Sequence, residues 1–305
     1  SEAGELLGLM HYMEGLRLFT VAELVPPTSD ENVTVTDTEF SSVPVRLYLP
    51  RKAPGGLRRA VLYFHGGGWC LGDAGMRGYD LLTRRISSEL NAVVVSVNYR
   101  LAPRHRFPAQ FEDVYSVTKF FLQSAVLARY GADPARLGVA GDSAGGNLAA
   151  AVAQQLLEDP EVKTKLKAQV LIYPALQALD LDLPSYRDNA DKPILSRSLM
   201  VRFWSEYFSP DPALREAMAS NRHVPAGSSH LLRLPAAYIL TCQHDVLRDD
   251  GAMYAARLRA AGVPVTHQHA QDAFHGAITF LAWPLELALS HRLLNACLDW
   301  LRENL

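Results

Sequence analysis

Leu137-Gly138-Val139-Ala140-Gly141-Asp142-Ser143-Ala144-Gly145-Gly146-Asn147-Leu148 decides how the rest of the chain reads. Leu137 to Ala140 has the apolar character of a short buried strand. Asn147 to Leu157 is rich in strong helix formers. Between them stands Gly141-Asp142-Ser143-Ala144-Gly145, the G-x-S-x-G spacing of a nucleophile elbow. Glycines flank the serine because only they let strand and helix backbones pass so closely. The serine hydroxyl then faces outward at a helix N-terminus, where the dipole favours developing negative charge.

Outward from this turn, other apolar runs read as strands. Arg59 to Phe64 is continuous enough to be buried on both faces, and Ala92 to Asn98 is another buried strand. Ala168 to Tyr173 and Ala236 to Thr241 are further strands, and Val263 to His269 is the last. Helical patterns separate them at Tyr79 to Leu90, Phe111 to Tyr130 and Gly251 to Ala261, and Ser290 to Leu305 closes the chain. Such alternation predicts an α/β fold with a mostly parallel sheet covered by helices on both faces. Val33 to Phe40 and Val43 to Leu49, joined at Ser41-Ser42, read as an opening antiparallel hairpin. The pattern breaks at Pro184 to Pro225, with one aromatic-rich helix expected over Ser196 to Phe208. That insertion and an amphipathic helix within residues 1–23 are expected to form a cap on a single domain spanning residues 1–305.

Bulk composition narrows the functional classes. The 305 residues can bury a large core, and the formal net charge of −2 calls for neither nucleic acid nor an anionic membrane surface. No apolar run reaches membrane-spanning length, so the chain as given is expected to be soluble. Three cysteines, Cys70, Cys242 and Cys297, are too few for a disulfide scaffold and fit no metal site, although one pair could bridge. No metal or cofactor is expected. Asn32-Val33-Thr34 is a glycosylation sequon that matters only in a secretory compartment.

A serine nucleophile needs a base, and the base needs a group to orient it. For an elbow serine the chain order is nucleophile, acid, base. Of the ten histidines, His11, His65 and His105 precede Ser143, and His223 and His230 fall before the strand that should carry the acid. His244 adjoins Asp245, His291 lies in the closing helix, and His267 and His269 alternate along the last strand. His275, in the loop beyond that strand, is the expected base. Asp245 follows directly on the strand Ala236 to Thr241 and is the expected acid. Asp249 and Asp250 read as caps of the next helix. The Gly66-Gly67-Gly68 triplet after a buried strand, with the N–H of Ala144, supplies an expected oxyanion hole.

His65-Gly66-Gly67-Gly68-Trp69, Tyr99-Arg100-Leu101-Ala102-Pro103, Gly141 to Gly146, Asp245 to Gly251 and Phe274-His275-Gly276 together resemble the hormone-sensitive-lipase-like branch of α/β-hydrolases. Val25 to Thr34 and Ser198 to Phe208 narrow the likeness to members of that branch that deacetylate arylamines. The resemblance runs over nearly the whole chain. It implies the α/β-hydrolase fold and a serine esterase and amidase acting on small-acyl esters and acetylated arylamines. It also implies Ser143, Asp245 and His275 as triad, a Cys70–Cys242 disulfide at one edge of the sheet with Cys297 free, a glycan on Asn32, and the lumen of the endoplasmic reticulum. The branch begins with a membrane anchor that this chain lacks, so a soluble ectodomain is expected. It also has a longer segment where only Leu231-Leu232-Arg233 joins His230 to Leu234 here. Two other readings accompany this one, a hydrolase of ether-lipid or sterol acetates and a non-catalytic small-ligand receptor. Specificity is assigned to the cap, with Phe203, Trp204 and Tyr207 as expected pocket walls.

Overall fold

The computed structural model describes residues 11–52, 55–208, 211, 233–282 and 284–305. Its centre is an eight-stranded sheet in the order β1-β2-β4-β3-β5-β6-β7-β8. The strands are Val33–Phe40 (β1), Val43–Pro50 (β2), Arg58–Phe64 (β3), Ala92–Val97 (β4), Ala132–Asp142 (β5), Ala168–Ile172 (β6), Ala236–His244 (β7) and Val265–Phe274 (β8). β1 pairs antiparallel with β2, and β2 with β4, and every other pairing in this sheet is parallel. The hairpin turns at Ser41 and Ser42, both at positive φ.

Side-chain alternation on the central strands sorts the core into two layers. Ala60, Leu62 and Phe64 of β3 join Val93, Val95 and Val97 of β4 in one cluster, while Val61, Tyr63, Ala92 and Val94 join the other. Helices Arg77–Leu90 (α2) and Ala288–Asn304 (α9) cover the second layer. Helices Ala109–Phe121 (α3), Ser124–Tyr130 (α4), Ala144–Glu158 (α5) and Arg248–Ala260 (α8) cover the first. Both faces are therefore sealed over the inner strands, which explains the near-continuous apolar runs of β3, β4, β6 and β7. The edge strand β8 stays mostly polar and half-exposed.

The stretch expected as one helix from Phe111 to Tyr130 is broken at Gln123, which is extended at φ −65° and ψ 136°. No proline or glycine marks the break. Burial of Leu122, Val126 and Leu127 in the core redirects the chain there. β5 starts five residues earlier than its apolar pattern suggests, because the polar segment Asp133 to Arg136 continues the strand at its exposed end. β8 runs on to Phe274, so His275 sits directly at a strand end.

The cap is built from helices Tyr12–Ala22 (α1), Pro184–Asp188 (α6) and Arg197–Tyr207 (α7). On α1, Met13 is fully buried and Tyr12 and Leu16 pack on the core, whereas Leu18 and Val21 face outward. Arg17 fixes this helix by donating to the carbonyls of Cys70 (3.0 Å) and Ala102 (2.9 Å). α7 docks through aromatic rings: Trp69 lies 4.4 Å from Trp204 and stacks on Tyr207 at 4.2 Å. Leu6, Leu7 and Met10 of the expected N-terminal helix lie outside the described residues. So do His223, His230 and most of the expected cap segment beyond Phe208, including the short connection at Leu231-Leu232.

Candidate active site

Three strand ends converge. Ser143 follows β5, Asp245 follows β7 and His275 follows β8. His275 Nε2 is 3.0 Å from Ser143 Oγ, and its Nδ1 is 2.9 Å from Asp245 Oδ2. With Asp245 ionised, Nδ1 carries the proton and Nε2 is left as the acceptor facing the serine.

Ser143 holds φ 55° and ψ −118°, a backbone conformation that L-residues seldom adopt. Its neighbours explain why it can persist. A β-carbon on Gly145 would run into the carbonyls of Phe64 and His65, and one on Gly141 into those of Gly145 and Phe64. Bulk at either position would push β3 away from the turn. Ser143 N–H donates to Ile172 O (2.9 Å), which ties the strained residue to β6.

Asp245 is completely buried, with Oδ1 accepting the Leu247 N–H at 2.9 Å. The cap braces its loop. Asn189 Nδ2 donates to Asp245 O (3.1 Å), Ser185 Oγ to Val246 O (2.7 Å), and Ser185 N–H to Asp249 Oδ2 (2.8 Å). On the other side, the His275 ring lies 4.7 Å from that of Tyr173, a residue itself at φ 34°. Gly276, at φ 83°, turns the chain into the 3-10 segment Ala277–Thr279, where Ser290 Oγ donates to Ala277 O.

The chain beside this site is similar to known hydrolases. A family model described as alpha/beta hydrolase fold matches residues 61–279. Arylacetamide deacetylase from Oryctolagus cuniculus is 50% identical over an alignment that covers 98% of this chain and 87% of the relative. The chain belongs to the arylacetamide deacetylase family of α/β-hydrolases. Neutral cholesterol ester hydrolase 1 from Bos taurus is 41% identical at 98% and 87% coverage. Among solved structures, a thermostable esterase from Pseudomonas putida superposes with a TM-score of 0.82 at 29% identity, covering 97% of this chain and 91% of that one. The alignment to the rabbit relative spans 352 positions, more than the 305 residues here, so that relative carries internal residues this chain lacks.

Within this arylacetamide deacetylase family member, the glycine loop differs in one respect from its expected form. Gly66 N–H is already committed, lying 2.9 Å from Asp142 Oδ1 and 3.0 Å from the Tyr79 hydroxyl. It is therefore withdrawn from the expected oxyanion donors, leaving the N–H groups of Gly67, Gly68 and Ala144. Gly67 and Gly68 hold φ 118° and 59°, and neither N–H has a protein partner among the described residues. A β-carbon on Gly67 would strike Leu71 O, and one on Gly68 would enter the Phe203 ring.

Of the expected pocket walls, Phe203 thus lies against the glycine loop. Trp204 and Tyr207 are buried on Trp69 and anchor the cap helix. The Cys70–Cys242 bridge is a correction: Cys70, Cys242 and Cys297 are all free and buried. Cys70 packs in one core layer while Cys242 and Cys297 pack in the other, so the sheet separates the expected partners. Burial pushes all three thiols up, Cys297 to about 12, which leaves them inert. Nor do Asp249 and Asp250 cap α8 with their side chains: Leu247 is its N-cap and carries no side-chain bond. Asp250 Oδ2 instead accepts from the N–H groups of Leu176 (2.9 Å) and Gln177 (3.2 Å), holding the loop after β6. His267 and His269 are sheet residues, sharing Thr241 Oγ1 at 2.9 and 3.0 Å.

Sequence reasoning missed the bracing residues Ser185 and Asn189 and the use of Asp142. Ser185 and Asn189 sit in an irregular polar stretch with no periodicity to flag them. Asp142 was visible inside the elbow motif, but nothing local points to its partners on β3 and α2.

Proposed function

We propose that this protein is a serine carboxylesterase and amidase that hydrolyses small-acyl esters and N-acetyl arylamides through an acyl-enzyme. The hydrogen-bonded chain from Ser143 through His275 to Asp245 carries the reading. Ser143 Oγ attacks the acyl carbonyl while His275 Nε2 takes its proton, and Asp245 stabilises the resulting imidazolium. Charge on the tetrahedral oxygen is met by the N–H groups of Gly67, Gly68 and Ala144, each donor worth roughly 2.7–4 kcal/mol of barrier. As the intermediate collapses, His275 returns the proton to the leaving alcohol or amine. Water then attacks the acyl-serine, His275 again taking and returning the proton, and the acid is released.

Preference for small acyl groups is supported by Phe203, whose ring closes the space beside Gly68, and by 50% identity to an arylacetamide deacetylase. A lumenal setting follows from the same likeness, and Asn32 is exposed where a glycan could attach. No described helix is long and apolar enough to cross a membrane. The deciding experiment pairs fluorophosphonate labelling with turnover of aryl acetates, butyrates, longer esters and acetanilides. Labelling of Ser143 with fastest turnover of acetates and acetanilides is expected. An unlabelled Ser143 would favour a ligand receptor, and a preference for long-chain or sterol esters would favour the lipid-ester reading.

A further inference from the structure

The catalytic cycle above gives no role to the buried carboxyl beside the nucleophile. Asp142 ends β5, immediately before the nucleophile, and only 3% of it is exposed. Its Oδ1 accepts from the Tyr63 hydroxyl (2.9 Å) and the Gly66 N–H (2.9 Å), and its Oδ2 from the Tyr79 hydroxyl (3.0 Å). We propose that Asp142 is a positioning residue, its carboxylate tying the oxyanion loop to the elbow and so fixing the Gly67 and Gly68 amides relative to Ser143 Oγ. This role rests on the triad reading and adds a determinant to it.

The geometry supports a carboxylate specifically. Three donors converge on it, two phenols and an amide, so the fitting partner is a group that only accepts. A carboxylic acid or a carboxamide brings hydrogen toward at least one of these donors. Gly66 is shaped to the same contact, because a β-carbon there would stand 2.5 Å from Asp142 Oδ2. The loop is thus held at its first residue by the residue preceding the nucleophile. The next two residues, at positive φ, carry N–H groups that have no protein partner among the described residues. Tyr79 Oη, near both Gly66 N and Asp142, couples α2 to the same knot.

Several buried groups bear on the charge of this carboxylate, and His65, packed against Tyr79 and Tyr99, is held toward its neutral form by burial. Burial pushes the Asp142 carboxyl up to about 6, opposed by the Tyr63 and Tyr79 hydroxyls, by His275 across the site and by the Gly66 amide. The phenols of Tyr99 and Tyr173 also face it and are themselves raised, with burial the larger cause and Asp142 the next. No Lys or Arg hydrogen-bonds to Asp142 among the described residues. The knot therefore loses its charge as pH falls through about 6. The acid limb of log kcat should therefore carry the protonation of Asp142.

The test measures kcat, KM and melting temperature between pH 5 and 8 with 4-nitrophenyl acetate, on wild type, Asp142→Asn and Tyr79→Phe. Asp142→Asn should lower kcat about 10- to 100-fold, the range of a misplaced oxyanion donor, with KM within about three-fold. The ratio of wild-type to Asp142→Asn kcat should shrink as pH falls through about 6, where the wild type loses the charge the variant already lacks. Tyr79→Phe withdraws one donor from the carboxylate, so the limb should move to higher pH by roughly half a unit. A folded Asp142→Asn enzyme with kcat within two-fold of wild type at pH 8, or a ratio of the two that stays constant from pH 5 to 8, overturns the proposal. Should Asp142→Asn fail to fold, an unmoved limb in Tyr79→Phe overturns it. Wild-type Ser143 that resists a fluorophosphonate would instead remove the triad reading, and the positioning role with it.

Discussion

The ring of Phe203 occupies the space into which a side chain on Gly68 would project. A cap helix and a loop far apart in sequence thus share one wall, and Phe203 is 95% buried in making it. Trimming the ring opens room beside the site. Phe203→Ala should shift preference from acetate toward butyrate and hexanoate esters, since each methylene newly buried contributes about 0.8 kcal/mol. Steady-state kinetics on an ester series checks this, and an unchanged chain-length ranking would place the acyl wall elsewhere.

Trp204 behaves differently because it contacts Trp69 and Phe208. Trp204→Ala should cost about 3–5 kcal/mol of stability through the cavity it leaves. Denaturant melts measure the loss, and a change below about 1 kcal/mol would mean the cap docks by other contacts.

The two acid positions should separate cleanly. Asp245→Asn removes the carboxylate charge and can turn an amide N–H toward His275 Nδ1, forcing the wrong tautomer, and should lower kcat by several orders of magnitude. Ser143→Ala should abolish turnover with the fold intact. Retention of a tenth of wild-type activity in either variant would send the search to another nucleophile or acid.

Asp250→Asn should lose little activity but alter how stability depends on pH. Burial pushes the Asp250 carboxyl up to about 7, against about 3.9 for an unfolded aspartate. The folded chain therefore binds more protons than the unfolded one between about pH 4 and 7. The contribution of this group to stability falls as pH rises through that window. The variant lacks the titration, so its melting temperature relative to wild type should climb from pH 4 to pH 7. A constant difference would show that Asp250 does not titrate there.

With all three thiols buried and free, alkylation of the unfolded protein without reductant should modify Cys70, Cys242 and Cys297 alike. Mass spectrometry counts the adducts, and protection of Cys70 and Cys242 together would restore the bridge.

What could be read from the chain alone follows a physical boundary. Ser143 and Asp245 each follow an apolar strand, legible because burial on both faces writes continuous apolar runs. β8 before His275 is mostly polar and half-exposed, and chain order identifies His275 instead. The partners of Asp142 were not legible: Tyr63 lies on β3 and Tyr79 on α2, and side-chain bonds across such separations leave no periodic trace. The cysteine error has the same origin. Cys70 lies in the loop beyond β3 and Cys242 within the last residues of β7, near one end of the sheet. Which layer each joins depends on side-chain direction, and on the strand a single residue of register reverses it.

Arg17 reaches from the first helix to the carbonyls of Cys70 and Ala102, one just beyond the glycine loop and the other in the turn after β4. A guanidinium bound to two main-chain oxygens reads no side chain, so either loop can change its residues while the clasp holds. The opening helix therefore acts as a splint on backbone shape. Selection can vary what the surrounding side chains recognise without loosening the frame that presents them.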